Sequence, residues 1–294
     1  MNNGRNKNLL KVISSSNLGL IGLGILILFL FITLATPFIS PFDPNERVGA
    51  PFMEPNSQFL LGTNDIGQDI LSELIYGTRI SLLIGILAAF ISITIGCVIG
   101  IMAGYFGGRI DTFFMRIVDL ILVIPFLPLM ILLAAFIGPS FWNIIFVISL
   151  LSWASPARII RSQVISINTK GYVEAARSIG LNHTTILVKH IFPGVITIAV
   201  SQFVLAASHS ILIEASLSFL GLGDPIQKSW GTILYYAQAR GALLTDAWIW
   251  WILPPGIAIT TLVIGFAFTG YSIEEAINPR LRRRKLVGKD IASK

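Results

Sequence analysis

The sequence predicts an all-α integral membrane protein with six transmembrane helices. Hydrophobic residues make up 54% of its 294 residues and charged residues only 12%, which is about half the charged fraction of an ordinary soluble domain. A transmembrane helix needs about 20 mostly apolar residues. Charge-free windows of that length run over residues 18–42, 80–108, 120–157, 191–213 and 247–273. The third is too long for one helix, and its turn signal Gly138-Pro139-Ser140 divides it into two, which makes six spans.

The first apolar window is longer than the core of a secretory signal peptide. Arg5, Lys7 and Lys11 precede it, as basic residues precede a signal core. A signal core has about 7–15 apolar residues, whereas residues 18–42 are uncharged throughout and are followed by Asp43 without a clear cleavage pattern. We therefore predict a retained transmembrane helix over 18–42.

The placement of basic residues predicts which side of the membrane each loop occupies, because cytoplasmic loops are enriched in Lys and Arg. Basic residues occur in the tail before span one, in the links after spans two and four, and in the C-terminal tail: Arg5, Lys7, Lys11, Arg109, Arg116, Arg158, Arg161, Lys170, Arg177, Lys189, Arg280, Arg282, Arg283, Arg284, Lys285, Lys289 and Lys294. The loop after span one is acidic instead. Both termini are therefore predicted to lie in the cytoplasm, in a multi-pass protein of the cell membrane.

These boundaries divide the chain into parts. They are a cytoplasmic tail (1–17), the first span (18–42), an external segment (43–78), a membrane core (79–273) and a basic cytoplasmic tail (274–294). The core contains a cytoplasmic link between spans four and five, residues 158–193, which we call the connector. The net charge of +6 lies beside the spans, so we expect membrane lipid and not nucleic acid as its partner.

Small residues recur every four positions in the second span, at Ala88, Ser92, Gly96, Gly100 and Gly104. On a helix they form one stripe, along which another helix can approach closely in lipid. Small side chains also leave room for a pathway, so both roles remain open.

The connector combines several helix-ending and helix-starting signals. Residues 172–179 suit a short helix that Gly180 can end in the left-handed conformation. Asn182 or Thr184 can cap a second short helix, and Pro193 suits the first turn of span five. From physical chemistry alone, this pair of helices could be an amphipathic element that rests on lipid headgroups.

The spacing of five connector residues resembles a known family. Glu174-Ala175-Ala176, Gly180 and Pro193 are similar to the EAA loop of ATP-binding cassette (ABC) importer permeases. The resemblance implies a type I importer permease fold, in which the connector docks on an ATPase subunit. It also implies that Ala175 and Ala176 allow close approach to that partner, that Glu174 offers a charge, and that Gly180 sets the bend.

Further segments place the resemblance in the dipeptide, oligopeptide and nickel branch, as the second of two paired permeases. They include the stretches 61–69, 76–82, 103–108, 115–119, 217–223, 230–231 and 278–281. Asn64 and Gln68 depart from the Asp and Arg usual in this branch, and the stretch 270–275 also departs from the pattern. The resemblance implies uptake of di- or oligopeptides, with nickel or oligosaccharides as alternatives. It implies as partners a second permease, two ATPases that bind ATP and Mg²⁺, and an external solute-binding protein.

Isolated polar residues in the spans predict neither catalysis nor a metal site. Ionisable groups are costly in a membrane, so Glu214 and His209 in span five are expected to lie at the membrane interface or to pack between helices. Alternatively, they contact the translocation path or a partner that delivers the substrate. The chain lacks a phosphate-binding G-x-x-x-x-G-K-[ST] motif, so it is not predicted to be an enzyme or to hold a cofactor. An ion-coupled transporter is the rival class. Trp248, Trp250 and Trp251 are predicted to form an aromatic belt at the membrane interface.

Overall fold

The computed structural model describes residues 16–277, and their side chains as far as residue 275. Twelve α-helices form the described part: α1 Asn17–Ile39, α2 Ile70–Phe106, α3 Gly108–Val123, α4 Phe126–Ile137, α5 Phe141–Ser152, α6 Ala154–Asn168, α7 Gly171–Ser178, α8 His183–Ile186, α9 Phe192–Leu217, α10 Trp230–Ala239, α11 Trp248–Trp251 and α12 Leu253–Ile277. A π-helical turn, Leu187–Ile191, precedes α9, and the turn Ser218–Leu222 follows it with a kink at Gly221, which has φ +82°. The predicted tails at 1–15 and 278–294 lie outside the described residues.

Four helical segments in the described part are long and apolar enough to cross a membrane by themselves. They are Asn17–Ile39, Ile70–Phe106, His183–Leu222 and Trp248–Glu275. Two bent pairs bring the number to six if each pair is one span: α3 with α4, bent by 90°, and α5 with α6, bent by 42°. An all-α membrane protein is therefore confirmed.

The predicted division of the long apolar window is also confirmed. Gly138, at φ +93°, lies between the end of α4 and the start of α5. The sharper bend of 90° between α3 and α4 was not predicted. Ile124 is extended before Pro125, as the residue before proline generally is, because the proline ring disfavours a helical conformation there.

Helix α2 is the central element, and its stripe of small residues packs against α6. A Cβ atom added at Gly100 would lie 2.7 Å from the carbonyl oxygen of Ala157, and one added at Gly104 would lie 2.8 Å from that of Arg161. The backbones of α2 and α6 therefore approach too closely for larger side chains. Of the two predicted roles of the stripe, the structure supports helix packing.

Several helix boundaries differ from the predicted ones. Helix α2 begins at Ile70, inside the predicted external segment 43–78, because charged residues such as Glu73 and Arg79 end an apolar run without ending a helix. Its 37 residues would extend about 55 Å, beyond a hydrocarbon layer of about 30 Å. For the same reason α6 continues to Asn168, well into the connector. The first span ends at Ile39 instead of residue 42.

Residues 40–69, which we call the cap segment, fold over the end of the bundle where α2 begins. The backbone N–H of Phe52 donates to Asn64 and that of Val48 to Gly67, and Asp69 caps α2 by accepting from the Ser72 N–H at 2.8 Å. The predicted aromatic belt is wrong for Trp250 and Trp251, which are buried in the core. The cap segment covers them, with Phe52 packed edge-on against Trp251.

Candidate functional site

The connector contains a short helix with a complete C-terminal cap. Helix α7 covers Gly171–Ser178, one residue earlier at each end than predicted. Gly180 has φ +78°, its N–H donates to Arg177, and the Leu181 N–H donates to Ala176. These two bonds define a Schellman motif, which satisfies the last carbonyls of a helix and needs a left-handed residue. The predicted role of Gly180 in the backbone is confirmed.

One face of α7 packs against its own chain and the other is exposed. Val173 and Ala176 are buried in a cluster with α6 residues such as Val164. Glu174 and Ala175 are exposed. The implied role of Ala176 in close approach to a partner is therefore corrected, because its methyl group fills a contact inside this chain. Of the two alanines, only Ala175 belongs to the exposed face.

The exposed face of α7 continues into an apolar surface that the sequence analysis missed. Ile179 is 75% exposed and Val188 60% exposed, and the Leu181 side chain is also at the surface. A helical projection of residues 172–179 could have identified Ile179, since a large apolar side chain beside a helix-ending glycine has little reason to be exposed in an isolated protein.

The second half of the connector runs without a break into α9. Asn182 caps α8 by accepting from the Thr185 N–H at 2.8 Å, as predicted. Pro193 lies in the first turn of α9, as predicted, and α8 continues into this helix because the Phe192 N–H donates to Leu187 across the π-helical turn. A proline inside a helix lacks a donor and its ring crowds the preceding turn. The wider turn precedes the proline, and a single helical segment of 40 residues, His183–Leu222, results.

Tyr105, at the end of α2, joins three parts of the connector. Its hydroxyl lies 2.9 Å from His183 Nδ1, and the guanidinium of Arg177 lies 5.3 Å from the centre of its ring. Asn168, the last residue of α6, donates to the Tyr105 carbonyl at 3.3 Å and accepts from Arg177. The Tyr105 side chain thus contacts the start of α8 and the end of α7, and its backbone carbonyl binds the end of α6.

Two ion pairs fix α6 against α3 at the same end of the bundle. Arg161 forms a two-pronged pair with Asp111, with Nη2 at 2.6 Å from Oδ2, and Arg158 lies 2.5 Å from Asp119. These arginines were counted among the basic residues that predict topology. In the structure they also link the base of the connector to α3, the Arg161 pair being the less exposed of the two.

Comparison with known proteins identifies the family. Residues 96–283 match the family described as binding-protein-dependent transport system inner membrane component. Residues 9–60 match the N-terminal transmembrane domain of oligopeptide transport permease C. The chain belongs to this family of inner-membrane permeases. The resemblance seen in the connector is confirmed, and so is the assignment to the peptide branch.

Named relatives of this permease cover nearly its whole length. The dipeptide transport system permease protein DppC of Haemophilus influenzae is 34% identical over 272 residues, which are 90% of this chain and 91% of the relative. DppC of Bacillus subtilis is 33% identical over 92% of this chain and 84% of its own. The oligopeptide transport system permease protein OppC of Haemophilus influenzae is 36% identical over 87% of this chain and 82% of the relative.

Glu214 of the permease is completely buried within the chain. Its Oε1 accepts from the Ser218 hydroxyl at 2.8 Å, and its Oε2 lies 3.3 Å from the Ser81 hydroxyl. Ser81 accepts in turn from the Trp230 N–H at 3.1 Å. Glu214 therefore connects α9, α2 and the start of α10. Of the predicted roles, this geometry favours packing over contact with a solute.

His209 of the permease has a different environment from Glu214, although it lies only five residues earlier. Its side chain is exposed, whereas the flanking Ser208 and Ser210 are buried. The two ionisable residues of α9 therefore point in different directions. His209 is on the face that this chain leaves uncovered.

The departures Asn64 and Gln68 belong to one buried network at the opposite end of the bundle from the connector. The Asn64 amide donates to Gln68 and to Glu73, both at 2.9 Å. Lys228 donates to Gln68 at 2.5 Å, to the Pro44 carbonyl at 2.6 Å, and to Glu73 in an ion pair. The neutral pair of amides thus helps to hold the cap segment on α2 and on the loop before α10.

Proposed function

We propose that the chain is one of two permeases in an ATP-driven importer of short peptides. Its connector would dock in a cleft on an ATPase subunit, and closure of two ATPases on ATP and Mg²⁺ would move the spans. The single observation that supports this mechanism is the exposed face of α7. Glu174 and Ala175 lie beside the apolar Ile179 on an element that is firmly attached to α2 and α6.

The same proposal fixes the orientation of the chain. The connector and both termini would be cytoplasmic, because basic residues concentrate there, and six spans would follow if each bent helix pair crosses once. The cap segment would then be outside the cell, where a solute-binding protein delivers cargo. A second permease would complete the pathway.

Peptides are the favoured cargo because the relatives described above carry dipeptide or oligopeptide transport in their names. Nickel and oligosaccharides are the alternative cargoes within the same class. The decisive experiment uses the assembled complex in liposomes and compares dipeptides, tripeptides, Ni²⁺ and oligosaccharides for stimulation of ATP hydrolysis. We expect only peptides to stimulate ATP hydrolysis. Stimulation by Ni²⁺ or sugar alone would show that the cargo is not a peptide, but it would leave the proposed ATP-driven mechanism unchanged.

Charge reversal at the connector tests the docking role. Glu174→Lys should insert and assemble but lose ATP-driven uptake by at least about tenfold, equivalent to the loss of one charge-assisted hydrogen bond of about 1.5–3 kcal/mol. The matched control is Asp246→Lys, which reverses an exposed carboxylate outside both the connector and the cap segment. Full uptake by Glu174→Lys would remove this residue from the mechanism. Uptake driven by a proton or sodium gradient without ATP would support an ion-coupled transporter instead.

A further inference from the structure

Helix α9 has a polar face that the rest of the chain leaves uncovered. Gln202, His209 and Ser216 follow one another at intervals of seven residues, which is nearly two helical turns, so they share one side of the helix. His209 is exposed, and Gln202 and Ser216 are half-buried. We call these three side chains the polar face.

Polar groups on this face have few partners within the described chain. Among the side chains described between residues 16 and 275, those of Gln202 and His209 make no hydrogen bond or ion pair, and the Ser216 hydroxyl donates to the Leu212 carbonyl of its own helix. A polar group in hydrocarbon without a hydrogen-bond partner is destabilising by several kcal/mol. The polar face is therefore unsuited to contact with lipid tails.

Large exposed side chains on other helices of the same bundle include apolar ones. Leu34 on α1 is 70% exposed, Phe90 on α2 60% and Phe136 on α4 87%, and all three side chains are apolar. On α9 itself the exposed Leu212 lies between His209 and Ser216, so this face presents polar groups at steps of about two turns with an apolar side chain between them. Glu214 does not belong to it, because its carboxylate is satisfied inside the chain.

The polar face extends through most of the span. Counted from Pro193 at 1.5 Å per residue, Gln202, His209 and Ser216 lie about 14, 24 and 35 Å along the helix. That range covers most of a hydrocarbon layer of about 30 Å. The three side chains thus form a series of hydrogen-bonding positions across the membrane, at steps of about two turns.

We propose that the polar face is part of the wall of a water-filled translocation pathway, along which peptide cargo passes. This inference rests on the function proposed above. An amide, an imidazole and a hydroxyl can each donate and accept hydrogen bonds, so they suit the main-chain amides common to all peptides and require no particular side chain. Separate, individually weak positions also suit release, because conduction requires binding that is weak enough to leave.

Cysteine accessibility tests the proposal in the assembled complex. The chain has one cysteine, Cys97, so Cys97→Ser provides the background. Gln202→Cys, His209→Cys and Ser216→Cys are introduced singly and treated with a membrane-impermeant, charged thiol reagent. Phe90→Cys and Leu34→Cys are the matched controls on apolar faces. A thiolate forms only where water reaches the sulfur, so the polar-face positions should react at least about tenfold faster than the controls.

Protection by cargo supplies the second measurement. Saturating peptide with its binding protein, under conditions that hold the complex in its cargo-loaded state, should slow labelling at Gln202→Cys or His209→Cys severalfold and leave Phe90→Cys unaffected. Ser216→Cys changes one atom of the side chain, so it keeps the test available if the other two variants fail to assemble.

The contrary outcomes are specific. The inference would be overturned if every polar-face variant that assembles were labelled as slowly as the controls. It would also be overturned if a cysteine at position 209 formed disulfide cross-links to a cysteine in the second permease, because the face would then be a dry contact between the two permeases. If the wild-type complex takes up peptide with ATP while the face does not react, only this inference fails. If the wild-type complex shows no ATP-driven uptake, the proposed function itself fails.

Discussion

The hydroxyl of Tyr105 lies 2.9 Å from Nδ1 of His183, and this contact joins the end of α2 to the start of the helix that continues into α9. The two residues are 78 positions apart in the chain. Arg177 lies over the same tyrosine ring. The connector is therefore attached directly to α2, the central helix of the bundle.

Tyr105→Phe should weaken this attachment without removing the ring under Arg177. We expect a loss of about 1 kcal/mol in the free energy of unfolding, the usual net contribution of one hydrogen bond. A double-mutant cycle with His183→Ala in detergent measures the interaction directly, because residues in contact show non-additive effects. Additive effects of the two substitutions would show that the contact contributes nothing.

Gly180→Ala should destabilise the connector through the backbone alone. A Cβ atom there meets nothing within 4 Å, but the residue has φ +78°, a conformation that costs a non-glycine residue about 1–2 kcal/mol. The matched control is Gly171→Ala, which also has open space and has no positive φ. The melting temperature of Gly180→Ala should be lower than that of Gly171→Ala, and equal melting temperatures would contradict the backbone argument.

Gly100→Ala should separate α2 from α6, because the added Cβ would lie 2.7 Å from a carbonyl oxygen of α6. Overpacking of this kind costs about 1–3 kcal/mol. Gly24→Ala on α1 is the control, since its Cβ meets nothing within 4 Å and alanine favours a helix over glycine by about 1 kcal/mol. We expect opposite shifts of the melting temperature, and a stable Gly100→Ala would mean that the helices can move apart freely.

Lys228→Met should release the cap segment. The side chains of Lys228 and Glu73 are only 17% and 5% exposed, and removal of one partner from a buried ion pair costs about 3–5 kcal/mol because the other charge stays buried. Limited proteolysis of residues 40–69 should accelerate accordingly, and the double variant with Glu73→Gln should recover part of the loss.

Arg240→Met supplies the matched control for this pair. Arg240 forms an ion pair with Asp65 at 3.0 Å, but its side chain is 57% exposed. Exposed pairs contribute about 0–1 kcal/mol, so this variant should be cleaved at close to the wild-type rate. If Lys228→Met and Arg240→Met accelerated proteolysis equally, burial would not be the reason that the Lys228 ion pair stabilises the cap segment.

Features that depend on neighbouring residues were predictable from the sequence, and contacts between distant residues were not. Gly180 and Asn182 end and begin helices through their own backbone and side-chain chemistry, so the sequence indicates them directly. The contact between Tyr105 and His183 depends on how α2 and α8 meet, which no local pattern encodes. Ala176 was placed on the wrong face because the motif shows its spacing but not the position of α6.

The π-helical turn at Leu187–Ile191 also determines a direction. One additional residue in a turn rotates everything after it by about 100° relative to an uninterrupted α-helix. The direction in which Gln202, His209 and Ser216 point about the axis of α9 is therefore set at the connector, about three turns before the first of them. A chain one residue shorter in that turn would keep every side chain of α9 and present a different set of them to the same neighbours.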